Sequence, residues 1–174
     1  MQTMTLENLN YVIANQTHFY DCDRLHTPLL ETGIPFGAIT QICGVGKAEA
    51  SVQIIKDNSE LKAAWIESEF ELNPLSVAPD DVDLTRFLCL EAGEHMISTC
   101  QQILKSNKYK IVILKSAPLD DFLLRKLQVA AEKSKTVLII LTENFSASWP
   151  ISLMLKAHQN VFTEIISLEI LRQR

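Results

Sequence analysis

The tightest constraint on this chain is Ile111-Val112-Ile113-Leu114, an apolar run with no polar residue to face water. A strand of this kind can be buried on both faces, as the central strands of a parallel sheet are when helices cover both sides. Val137 to Leu141 gives a second and stronger strand signal. Between the two lies a helical pattern over 119–132, opened by Pro118 and by Asp120-Asp121, whose charges suit a helix N-terminus. Strand, helix, strand at this spacing is a βαβ unit.

The same alternation extends upstream. Ala38 to Cys43 alternates and stops at Gly44, which predicts a strand entering a tight turn. Lys47 to Asp57 reads as a helix with Val52 and Ile55 on one face. Lys62 to Ser68 and Arg86 to Leu90 read as two further short strands. From Glu91 to Leu104, Met96, Ile97, Cys100, Ile103 and Leu104 recur at helical spacing. The end, 162–170, alternates as an edge strand with one wet face would. The fold class is therefore α/β, a mostly parallel sheet flanked by helices on both faces. The first thirty residues are polar, with scattered aromatics (Tyr11, Phe19, Tyr20) and no clear period. We divide the chain into an N-terminal arm or cap, 1–31, and a single core domain, 32–174.

Composition narrows the function classes. The 174 residues carry 16 Lys+Arg against 21 Asp+Glu, a net charge of −5, and 47% are hydrophobic. That suffices for one domain with a full core and argues against global disorder. A net acidic chain is a poor general binder of nucleic acid, since that binding needs clustered Lys and Arg. No apolar run approaches the roughly 18 residues of a membrane span. The N-terminus has no basic segment followed by an apolar core, so the expected location is the cytoplasm. Cys22, Cys43, Cys89 and Cys100 show no CxxC and no His at ligand spacing, which predicts reduced core or half-buried thiols and no metal.

The turn Gly44-Val45-Gly46-Lys47 stands where a phosphate-binding loop, G-x-x-x-x-G-K-[ST], would sit between strand and helix. Counted from Gly44, the second glycine falls on Glu49 and the lysine on Ala50, leaving only Ser51 correct. Counted back from Gly46-Lys47, the first glycine falls on Gln41 and the hydroxyl on Ala48. A carboxylate about 4 Å from a phosphate charge, at an effective dielectric of about 20, repels by roughly 4 kcal/mol. A third arrangement, a shortened loop using Lys47 differently, stays open. The acid expected at the end of a central strand, where it would hold magnesium, is replaced by Lys115. A lysine cannot ligate a cation, so two separate parts of the site depart from the pattern together.

The order of these segments resembles the RecA recombinase core. Gly33-Ile34-Pro35-Phe36-Gly37 through Gln41 and Gly44 resembles the family's entry into the phosphate loop. Trp65-Ile66-Glu67-Ser68-Glu69 with Leu72-Asn73-Pro74 resembles F-I-D-A-E and its downstream L-D-P. Val82-Asp83-Leu84, the helix after Glu94, and Ile111 to Ser116 follow in the family's order, with Lys115 in place of aspartate. The resemblance implies that Glu69 stands where the recombinase has its water-activating carboxylate, here vestigial, and that Glu143 falls near its nucleotide-sensing glutamine. The family's long DNA-binding loops have no counterpart here. Among RecA-like groups the chain is most similar to ImuA, the mutasome accessory protein that works with a Y-family polymerase-like partner, and to SulA, the division inhibitor that binds FtsZ. The resemblance therefore implies a non-catalytic adaptor of the DNA-damage response, with no cofactor and no ATPase activity. Its implied partner is a recombinase, the polymerase-like ImuB protein, FtsZ or a second copy of itself.

The remaining candidates read more plainly. His18, His26, His95 and His158 have no carboxylate or Cys at catalytic spacing, and no nucleophile motif occurs. Lys105, Lys108, Lys110 and Arg125-Lys126 read as solvated faces, and Asp80-Asp81-Val82-Asp83 as a loop without a calcium pattern. Phe19, Tyr20, Phe145, Trp149 and Ile151 are the aromatic and apolar candidates for a protein interface.

Overall fold

The structure is a computed structural model that describes residues 24–73, 84–115, 119–145, 150–160 and 165–174. A hairpin, β1 (Arg24–Thr27) and β2 (Leu30–Pro35), comes first. Then follow β3 (Ile39–Gly44), α1 (Lys47–Asp57), β4 (Ala63–Glu67) and β5 (Phe87–Glu91). The chain continues through α2 (Met96–Ser106), β6 (Ile111–Lys115), α3 (Asp121–Ser134) and β7 (Val137–Leu141), and closes with β8 (Ile151–Gln159) and β9 (Ile166–Gln173). The main sheet has the order β5-β4-β6-β7-β3-β8-β9. All its neighbours are parallel except β9, which runs antiparallel to β8 at the edge. This is the α/β architecture that the alternation predicts.

Period-two geometry divides the apolar runs between two cores. Ile111, Ile113, Val137, Ile139, Leu141 and Trp65 face α1 and the β1–β2 hairpin. Val112, Leu114, Leu138, Ile140, Ala64 and Ile66 face α2 and α3, where Cys100, Leu104, Leu124, Leu127 and Ala131 close the layer. α3 starts where the aspartates place it: Asp120 is the N-cap, its carboxylate accepting the Leu123 N–H at 2.8 Å. Both α2 and α3 end on a residue in the left-handed region, Asn107 and Lys135.

Four sequence expectations change. Glu91 belongs to β5 rather than to the following helix, because it pairs with Glu67 across the β4–β5 ladder. α2 itself begins at Met96, after a 3-10 turn over Gly93–His95. β8 (Ile151–Gln159) is a strand beyond those expected, although Leu155-Lys156-Ala157-His158 alternates as a half-buried strand does. The terminal strand is Ile166–Gln173, and 162–164 of the expected run lie outside the described residues. The hairpin also went unread: Leu25, Leu30 and Ile34 are buried in the first core, and the 31/32 boundary falls inside β2.

The cysteines Cys43 and Cys100 are buried and Cys89 is half-buried, all free. Burial raises each thiol above its ordinary value, Cys89 to about 11 with Glu67 adding to the effect, and Cys100 to about 12. The thiolate is the reactive form. Cys89 and Cys100 will therefore react with a disulfide reagent at neutral pH about tenfold or more slower than a free thiol, the lower thiolate fraction outweighing the greater nucleophilicity of the thiolate. Thiol counting before and after denaturation checks this.

Candidate functional site

Ligands of parallel α/β sheets bind outside the carboxyl ends of the strands, so the C-terminal edge of β3, β4, β6 and β7 is the region to build. β3 passes into α1 through only Val45 and Gly46. Gly44 has φ +95, and a Cβ there would lie 2.4 Å from the Ala157 carbonyl oxygen of β8. Gly46, the α1 N-cap, has φ +88, and its Cβ would lie 2.8 Å from Gln159 Cβ. Both glycines are therefore fixed by backbone sign and by the close approach of β8. The turn is held against the end of that strand.

α1 then presents Lys47 in its first turn. Lys47 Nζ donates to Glu143 Oε1 at 2.5 Å, the lysine largely covered and the glutamate exposed. Glu143 is set in place from below. Gln41, 1% exposed, donates from Nε2 to Thr142 Oγ1 at 2.8 Å and to the Asn144 carbonyl at 3.3 Å. Thr142 Oγ1 donates to the same carbonyl at 2.8 Å. This buried network fastens the segment after β7 to β3, beside Lys47. The hydrogen bond and charge of Lys47 hold the Glu143 carboxyl below the usual carboxylate range, and Lys115 adds to the effect.

Lys115, at the end of β6, is ion-paired with Glu71 on the segment after β4. Lys47, Glu143, Lys115 and Glu71 thus form an alternating row of charges along the sheet edge. Each of the two lysines that matter to the phosphate-loop comparison has a carboxylate partner from this chain. Of the other loop positions, Ala50 is fully buried, Ser51 donates its hydroxyl back to the Lys47 carbonyl at 2.8 Å, and Glu49 faces out.

Glu69 is exposed in the turn after β4. The carboxylate built into the structure is Glu67, 1% exposed, whose Oε1 accepts the N–H groups of Glu71 and Leu72 at 3.0 and 3.1 Å. Its Oε2 has no hydrogen-bond partner, nor does Trp65 Nε1, two residues back on the same face of β4. Both residues line a cleft of about 540 Å³ between α1 and β4, with Glu49, Lys56, Glu71 and Lys115 also at its walls.

The interface candidates are redistributed. Ile151 is 2% exposed in β8, where it pairs with β3 over the second core, so it cannot anchor a partner. Phe145 packs half-buried against the same core. Phe19, Tyr20 and Trp149 lie outside the described residues, as does Cys22. The large apolar side chains exposed near the sheet edge are Val45 and Phe70 instead. His158, which lacks a carboxylate at local spacing, meets Glu169 at 3.0 Å through the β8–β9 pairing, away from the site. Lys105 and Lys126, with Lys133, line a groove between α2 and α3. Among the described residues, no group of three or more His, Cys, Asp or Glu is arranged to hold a metal, and no helix is long and apolar enough to cross a membrane.

The Glu143 shift yields a prediction with a definite sign. A depressed carboxyl contributes stability that is present above its unfolded value and lost as pH falls through its lower folded value. Carboxyl NMR titration should place Glu143 below the ordinary carboxylate range, and Lys47→Met should move it back up towards that range. Because Glu143 is exposed, added salt should narrow the difference.

No protein-family model matches the chain, and no curated protein does. Among solved structures it is similar to the crystal structure of the RadB recombinase, at 16% identity and a TM-score of 0.65, covering 84% of this chain and 86% of that one. At that identity the likeness shows the fold: the chain has a RecA-like core.

Proposed function

We propose that this RecA-like chain is a non-catalytic, cytoplasmic adaptor of the DNA-damage response that binds a recombinase or a translesion-polymerase partner. The observation that carries the reading is the alternating row Lys47–Glu143 and Lys115–Glu71. A nucleotide site needs a lysine free to meet phosphate oxygens and an acid to hold magnesium. Lys47 is spent on Glu143, and the magnesium position carries a second ammonium that Glu71 neutralises. Bringing in a metal would place its charge against Lys115, and bringing in phosphates would set them beside Glu143. A protein freed from nucleotide chemistry keeps a rigid sheet edge with exposed side chains, which serves recognition of another protein.

The test is capture on the tagged chain from its source organism after DNA damage, followed by binding of purified proteins. A recombinase or Y-family polymerase-like protein binding directly supports the adaptor reading. Direct binding of FtsZ alone would replace it with a division inhibitor, and binding of none of these would overturn it.

A further inference from the structure

The cleft between α1 and β4 contains the least explained chemistry in the molecule. Burying a polar atom without a partner costs on the order of 1–3 kcal/mol, more for a charged group, and here two such atoms lie on one strand face. Glu67 Oε2 is an unmatched acceptor and Trp65 Nε1 an unmatched donor; each residue is 1% exposed, so a group from outside reaches them only as the cleft wall gives way. Three carboxylates and two ammonium groups line the cleft: Glu49, Glu67 and Glu71 against Lys56 and Lys115. Glu71 takes Lys115, and Glu49 faces out in the first turn of α1. Glu67 is the buried carboxylate left with an unmatched oxygen. Val52, Leu72 and Ile166 add apolar surface to a wall that also holds the Gln53 and Asn73 amides.

Resting on the adaptor reading, the geometry points to this cleft as the docking site for a basic side chain of the partner protein. An arginine with apolar neighbours is the best match, its guanidinium reaching Glu67 Oε2 and a carbonyl of the same segment accepting from Trp65 Nε1. The occupant is a polypeptide rather than a small polyamine because Val52, Leu72 and Ile166 offer apolar contact beside the charge. A planar guanidinium suits a carboxylate with one oxygen already engaged, because it donates through a fixed fork. A water could satisfy either atom but would bring no charge.

The full chain, isotopically labelled in a Trp149→Phe background, keeps a single indole N–H to report on the cleft. The probe is N-acetyl-Leu-Arg-Leu-amide, compared with the same peptide carrying neutral citrulline. The arginine peptide should shift the Trp65 indole resonance saturably and bind at least about tenfold more tightly than the citrulline peptide. Glu67→Gln, which keeps the acceptor for the Glu71 and Leu72 N–H groups, should abolish that preference while leaving the fold intact. Equal binding of the two peptides, no shift up to about 10 mM, or a preference surviving Glu67→Gln would overturn the proposal. If the purified partner binds Glu67→Gln as tightly as the parent, the cleft assignment fails and the adaptor reading stands. If no partner binds but the arginine preference holds, the reverse is true.

Discussion

Gly44→Ala will destabilise the protein by about 3–5 kcal/mol, a large share of a typical domain's total. Two separate costs add. At φ +95 any L side chain sits in a sparsely allowed region, costing on the order of 1–3 kcal/mol. The new methyl group would also stand 2.4 Å from the Ala157 carbonyl oxygen, a backbone atom in the β3–β8 ladder that cannot swing away. Forced overpacking of this kind costs roughly another 1–3 kcal/mol. Gly93→Ala is the control: its φ is +50 with nothing within 4 Å, so only the backbone term of about 1–2 kcal/mol applies. Urea unfolding of the two variants at equal slope separates the clash from the backbone sign.

The second large effect is at Trp65. This indole, 1% exposed, sits in the first core against α1, and Trp65→Ala should cost about 3–5 kcal/mol. Trp65→Phe should cost much less, within about 1.5 kcal/mol. The phenyl ring leaves a smaller void, and the lost N–H has no hydrogen bond to lose. If Trp65→Phe proved as damaging as Trp65→Ala, the indole N–H would have a partner in solution. That result would weaken the cleft assignment as well. Denaturation followed by circular dichroism, which does not rely on the removed fluorophore, measures both.

The sequence exposed the parts of the fold whose residues all obey one period. Val137 to Leu141 comes out with the observed bounds because nothing polar interrupts the run, and Lys47 to Asp57 because the one hydroxyl on its buried face, Ser51, is satisfied by the Lys47 carbonyl. The β1–β2 hairpin does not, since its buried apolar residues Leu25, Leu30 and Ile34 follow no single period among polar ones, and a short hairpin gains its stability from the core beneath it. β8 carries Lys156 and His158 at wet positions between Leu155, Ala157 and the strand's end, a short alternation, while its place between β3 and β9 comes from the topology alone.

The candidate site divides along the same line. Lys47 and Lys115 stand out in sequence because each departs from a motif position. Their partners do not, since Glu143 is 96 residues from Lys47 and Glu71 is 44 from Lys115. Glu67 does not stand out beside Glu69 in the sequence because the motif weights the second acid, whereas the pleat of β4 buries the first. Gln41 and Thr142 had one available signal, polar side chains where β3 enters and β7 leaves an otherwise apolar layer. A buried amide there requires a partner.

On the adaptor reading, Lys47 and Lys115 are committed to carboxylates of this chain and do not serve a nucleotide. Calorimetric titration of the parent protein with Mg·ATP tests it most directly. No saturable heat is expected up to about 1 mM ligand, an affinity no better than roughly −4 kcal/mol. Saturable binding in the micromolar range, lost in Lys47→Met, would contradict it and make this RecA-like core a nucleotide-binding protein with a shortened loop.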